Sequence, residues 1–413
     1  MNIAELTKVD RITGEKILLD DTLRPVWKFV FYNGILADSF PQKTQKWPFY
    51  VTRFTVTVLI VLLLLVYTIF LLIQLLFSFS LELIVLDKVM ITYSFTLLSS
   101  GVFCQYYYLR RQKELFQFLN DWKEIEMQYL TNCNDTKKKI VIIAYGVYLI
   151  LLISIAIVTF YWNLTDPHFQ IFYSSYLSIS ESCNIHFIGL TTASSLYYAQ
   201  LYNLLGEIVP ALFFYHVGCV IEGLQIEFQD IVFNSGVSDR ALVSNLHIQF
   251  RNERPIRRIW TKYETIFHFV KRGNRLFQSV ILCHDFTGFM FICLGIYSGF
   301  KVSDWSLSVS FFAIVCLIML RAIGVNWLTS YPYLSREQFE TAIANFLNLK
   351  WDSLLDEDRQ FLVSFQERLN NENLAAQPFN LYTINPSNLL SMLSIIATYV
   401  IVLLQINVST TNL

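Results

Sequence analysis

The sequence predicts an all-α membrane protein with seven transmembrane helices, an N-terminus inside the cell and a cytosolic helical anchor region. Three observations carry this. Of the 413 residues 54% are hydrophobic and only 15% charged, a balance too apolar for a soluble fold of this length. Five long stretches contain no charged residue at all: Phe54 to Phe79, Val89 to Tyr108, Ile140 to Trp162, Phe187 to Gly206 and Ser387 to Ile406. Lysine and arginine crowd into alternate connections between the apolar runs.

A helix rises about 1.5 Å per residue, so roughly 20 apolar residues cross the ~30 Å of hydrocarbon. Two further runs, Leu276 to Phe300 and Trp305 to Ser330, qualify if Asp285 and Arg321 are tolerated inside the bundle, which brings the spans to seven. Positively charged loops stay in the cytosol. The N-terminal segment and the second, fourth and sixth connections hold twenty-seven lysines and arginines against two, Lys88 and Lys301, in the others. That places the N-terminus inside and the C-terminus outside. Residues 1–24 have no continuous apolar core, so targeting falls to the first span. The sequons at Asn163 and Asn407 fall on the expected exterior as glycosylation sites; a third, at Asn134, falls inside and is a chance match to a short pattern.

The chain divides into a cytosolic N-terminal segment (1–49), spans one to six with extended cytosolic helices (50–330), cytosolic anchor helices (331–383), a last span (384–406) and an extracellular tail (407–413). The fourth apolar run continues through Leu224, Phe228 and Ile231 at helical spacing, so that helix overshoots the membrane. Trp260, Tyr263, Phe267 and Val270 repeat the spacing, as do Phe339, Ile343 and Phe346, and then Leu362, Phe365 and Leu369 behind an acidic start. These faces must be covered, either within one subunit beneath the membrane or by copies from other subunits, and both are expected.

Composition excludes several functions. The net charge of −1 gives no reason to expect a nucleic-acid partner. Five of seven cysteines lie in apolar runs, and the spacings match no metal site; no metal and no cofactor are expected, and membrane lipid is the one partner that composition demands. No nucleophile motif or pair of broken half-spans supports an enzyme or a transporter. A G-protein-coupled receptor would need the opposite orientation, and Asn385-Pro386 opens the last span instead of closing it.

Charged groups inside lipid are costly and mark function. Glu207, Asp285 and Arg321 all fall in the inner third of their spans, so an ion pair of structural or gating role is expected among them. His216 and His284 read as satisfied packing residues. In the last span, Pro386 suits the first helical position, and Ser387, Ser391, Ser394, Thr398 and Gln405 fall within about 60° of one another. Such a stripe fits a wall that meets water or another subunit at a pore, and equally the small polar residues that let helices approach closely in lipid.

The last span ends Thr398-Tyr399, five apolar residues, Gln405 and Ile406. This resembles the signature of the insect gustatory receptors, which ends Gln-Phe, with Ile406 in place of the Phe. The related odorant receptors of insects are the close alternative. The resemblance implies a tetrameric, ligand-gated, non-selective cation channel in the plasma membrane of chemosensory neurons, homomeric or built with related subunits, whose last helix lines the pore. It implies an apolar gate at Val402 and Ile406, with Thr398 beside it and Tyr399 and Gln405 holding neighbouring subunits together. It places the pocket for a small-molecule tastant in the outer halves of spans three to six, where Trp162, Thr191, Thr192, Tyr197, Tyr198, Phe289, Tyr297 and Trp305 combine stacking with hydrogen bonding. Sugar receptors of the family commonly carry Glu after the Thr-Tyr pair. Val400 stands there, which points to a bitter or other non-sugar ligand.

Overall fold

A computed structural model describes residues 19, 47–78, 85–129, 184–233, 255–301, 305–350, 356–371 and 374–411. Within them the chain forms α1 (Trp47–Ser78), α2 (Val85–Tyr129), α3 (Asn184–Phe233), α4 (Pro255–Lys301), α5 (Trp305–Lys350), α6 (Asp356–Asn371) and α7 (Pro386–Thr411), with a short 3-10 turn at Pro378–Asn380 and no strand among the described residues. Six of the seven expected spans lie on these helices; Ile140 to Trp162 lies outside the described residues. The segments Tyr197–Val232, Ile256–Phe300 and Phe311–Leu349 are each long and apolar enough to cross a membrane.

The helices run well past the expected spans. α2 has 45 residues, α3 has 50 and α4 has 47, where hydropathy marks roughly 20–25 as apolar. Each continues as an amphipathic helix, because hydrogen bonding within a helix does not stop where lipid does and the apolar stripe beyond still has a partner. α3 is the central element, contacting α1, α2, α4 and α5. From Leu201 to Ile221 only Glu207 is not fully buried. Gly101 of α2 lets the backbones close: a Cβ there would stand 2.7 Å from Ala199 Cα on α3.

The amphipathic stripes meet one another within the chain. Phe228 of α3 lies 5.8 Å from Phe339 and 5.9 Å from Phe346 of α5 between ring centroids, and Phe365 of α6 lies 5.5 Å from Phe339 and 5.0 Å from Trp260 of α4. Tyr263, Leu362, Phe365 and Leu369 are fully buried. Edge-to-face aromatic pairs add about 0.5–1.5 kcal/mol each beyond the area they bury. Arg368 on Glu264 and Lys262 on Glu227 close the rim with ion pairs.

Candidate functional site

Among the described residues α7 is packed on one side only. Asn385 caps it, its Oδ1 accepting the Asn388 N–H at 2.9 Å, and Pro386 takes the first helical position. Ile396 and Val400, one turn apart, are buried against Ile292 and Cys293 of α4 and Val315 of α5. Ser387, Ser391, Ser394, Thr398 and Gln405 are all exposed, about 180° around the helix from that packed pair. The Thr398 hydroxyl donates to the Ser394 carbonyl at 2.9 Å and that of Ser391 to the Ser387 carbonyl at 3.4 Å. Val402 and Tyr399 are also exposed, and the Tyr399 ring meets Phe289 of α4 edge-on at 5.5 Å. The side chains of Ile406 and Asn407 lie outside the described residues.

The intramembrane charges divide in a way the sequence does not foretell. Arg321 of α5 is paired with Glu207 of α3, and His284 of α4 joins them, its Nδ1 3.1 Å from Glu207 Oε1. Asp285 takes no part in that pair: one residue on from His284, it faces about 100° away and accepts a hydrogen bond from the Tyr382 hydroxyl. Burial and the nearby Asp285 carboxyl both push the Tyr382 phenol up, so it stays a donor. Around the ion pair the polar groups are linked. Ser100 Oγ lies 2.5 Å from Asn203 Oδ1, and Cys104 Sγ lies 3.7 Å from His284 Nε2. Gly206 makes the room, since a Cβ there would overlap His284 Nε2.

Other polar residues escape a sequence reading. Glu126 of α2 is fully buried, with Oε1 2.6 Å from His216 Nδ1 of α3 and Oε2 accepting the Leu19 N–H at 2.8 Å. Its signal lies in its position: Leu115, Leu119 and Trp122 form a buried stripe, and Glu126 is the next residue on it. His216 and His284 are satisfied, but by carboxylates as well as by packing.

Of the expected pocket residues, five have described side chains. Tyr197 and Tyr198 pack on each other at 5.6 Å against the core, Phe289 sits on α7, Tyr297 is buried and Trp305 is exposed. Trp162 and Asn163, and the side chains of Thr191 and Thr192, lie outside the described residues. Among the described residues no group of His, Cys, Asp and Glu is arranged to hold a metal.

A bundle of long apolar helices around a buried α3 is the architecture of a multi-pass membrane protein. The sequence matches the family described as 7tm Chemosensory receptor over residues 23–409, and the chain belongs to that family. No curated protein matches the sequence. The fold is similar to that of the insect olfactory receptor OR5 from Machilis hrabei, with a TM-score of 0.60 at 15% identity over 94% of this chain and 100% of the other. The same receptor in complex with eugenol matches with a TM-score of 0.61, at 15% identity over 93% of this chain and 98% of the other.

Proposed function

We propose that this chain is a gustatory chemoreceptor: a subunit of a tetrameric, ligand-gated, non-selective cation channel opened by a small organic tastant of non-sugar type, with its N-terminus in the cytosol of a chemosensory neuron. The observation that carries the reading is the one-sided packing of α7. Five polar side chains are exposed on the side of the helix opposite Ile396 and Val400. An exposed polar face of this kind suits pore water or a neighbouring subunit. Val402 lies on the exposed side beside the stripe, and Ile406 is one turn on from it. Four copies of that pair would form an apolar ring that closes a pore by dewetting. The Thr398-Tyr399 to Gln405 signature supports the gustatory branch.

An odorant rather than a tastant is the second reading. The likeness in fold to an olfactory receptor solved with eugenol favours it, and the sequence signature favours the first.

The test is on the ring. Val402→Ser and Ile406→Ser should each make it easier to hydrate, so that the ligand-free channel leaks cations while surface expression stays at the wild-type level. Wild-type basal current and ion selectivity in both well-expressed variants would remove α7 from the pore.

A further inference from the structure

α4 holds the segment of chain that leads into α7. Asn274, Asp285 and Phe289 lie within about 60° of one another around its axis. The Asn274 side chain donates to the Ala375 carbonyl at 3.1 Å and accepts the Gln377 N–H at 3.0 Å. Three turns further on, the Asp285 carboxylate accepts from the Tyr382 hydroxyl. One more turn brings Phe289 onto Tyr399 of α7 itself.

The held segment, residues 374–385, is a compact strap. The Ile384 N–H donates to the Ala376 carbonyl at 2.9 Å, the Leu381 N–H to Pro378 at 3.0 Å, and the Gln377 amide to the Thr383 hydroxyl at 3.1 Å. Leu374, Ala375, Ala376 and Ile384 are buried. Phe379 and Asn380 turn the chain with φ of 51° and 57°, a left-handed conformation that non-glycine residues keep only where the surroundings fix it. Asn388, in the first turn of α7, donates its side-chain amide back to the Thr383 carbonyl. Strap and helix start therefore move as one piece.

The neighbour of Asp285 points elsewhere, since His284 is tied to Glu207 and through it to Arg321. At this one level α4 is fastened to α3 and α5 on one side and to the strap on the other. We infer that Asp285 and Tyr382 are positioning residues whose hydrogen bond sets the resting place of the strap and, through it, the start of α7. This rests on the pore role proposed for α7. A tilt or slide of α4 would reach α7 through this bond, through Asn274 and through Phe289. Of the three it is the one with a charged acceptor, and hydrogen bonds to charged groups are the stronger kind.

The reporter is Ser391→Cys, on the exposed polar face of α7 and on the cytosolic side of the proposed gate, labelled without ligand in inside-out membrane vesicles by a membrane-impermeant methanethiosulfonate and read against the same chain with Ser391 intact. Tyr382→Phe, which removes only the hydroxyl, and Asp285→Leu should each change the labelling rate by about tenfold, the scale of one charge-assisted hydrogen bond. The double variant should do no more than either single one. Asp285→Asn, whose amide oxygen still accepts from Tyr382 but carries no charge, should bring the rate part of the way back to that of the parent. Unchanged labelling in surface-expressed Tyr382→Phe, or single effects that multiply in the double variant, would overturn the link; this holds even where Asp285→Leu fails to fold. Basal current recorded beside the labelling separates the two claims. Labelling that follows the cycle with no current in any variant leaves the strap and removes the channel, and current with multiplying effects does the reverse.

Discussion

α3 and α7 are both apolar helices carrying a few polar residues, and they use those residues in opposite ways. In α3 three buried polar groups find partners on other helices of the chain: Asn203 with Ser100, Glu207 with Arg321 and His284, His216 with Glu126. In α7 the stripe from Ser387 to Gln405 is turned away from the bundle. A polar side chain in lipid must be satisfied somewhere. A partner on another helix of the same chain fixes the fold, whereas in the α7 stripe Ser391 and Thr398 bond back to their own helix and leave an exposed polar face that suits water or another subunit.

The sharpest way to break this contrast is at the ion pair. Arg321→Leu strands Glu207 in the bundle and should cost about 3–5 kcal/mol, read as a fall in melting temperature and yield in detergent. Glu207→Leu together with Arg321→Leu should recover most of that loss, because an apolar pair leaves no stranded charge. If the double variant is no better than the single one, the loss comes from the packing of the Arg321 side chain and not from a stranded carboxylate.

A smaller effect is expected at Gly206. Gly206→Ala drives a methyl into the His284 ring, and the imidazole must leave Cys104 or the helices must part, at about 1–3 kcal/mol. The same thermal melts measure it, and a melting temperature equal to wild type would mean that His284 can turn aside freely and does not help to hold the pair.

The smallest stability change belongs to α7. Thr398→Val, which keeps the shape and removes the hydroxyl, should shift unfolding by no more than about 0.5 kcal/mol, since the side chain is exposed and its hydroxyl bonds only back to its own helix. Its basal or ligand-evoked current should nonetheless change if the stripe meets water or a neighbour. A large loss of stability with unaltered current would place this face inside the chain's own fold and erase the distinction from α3.

Much of this was legible beforehand because it depends on period and length alone. The stripes of Leu224 and Phe228, of Tyr263 and Phe267, of Phe339 and Ile343, and of Leu362 and Phe365 announced helices reaching beyond the spans, and they are the residues that pack together. The within-subunit part of that expectation is seen at Phe365, which covers Phe339, Tyr263 and Trp260 of its own chain. The polar stripe of α7 was visible as an arc on a helical wheel, but a wheel does not say which arc faces the bundle. Ile396 and Val400 decide that by packing on α4 and α5.

The sequence by itself determined the class of solvent, the helices and their faces, because hydrophobic length and periodicity are local properties. Tertiary structure alone decided who pairs with whom. Asp285 and His284 are adjacent in sequence, yet one residue of helical rotation sends His284 to Glu207 and Asp285 to Tyr382, nearly a hundred positions on. Three charges in the inner third of three spans are compatible with several pairings, and the choice among them is made by the rotation of each helix against its neighbours. That rotation is set by close contacts such as Gly101 on Ala199 and Gly206 on His284, contacts between residues far apart in the chain that no local pattern records.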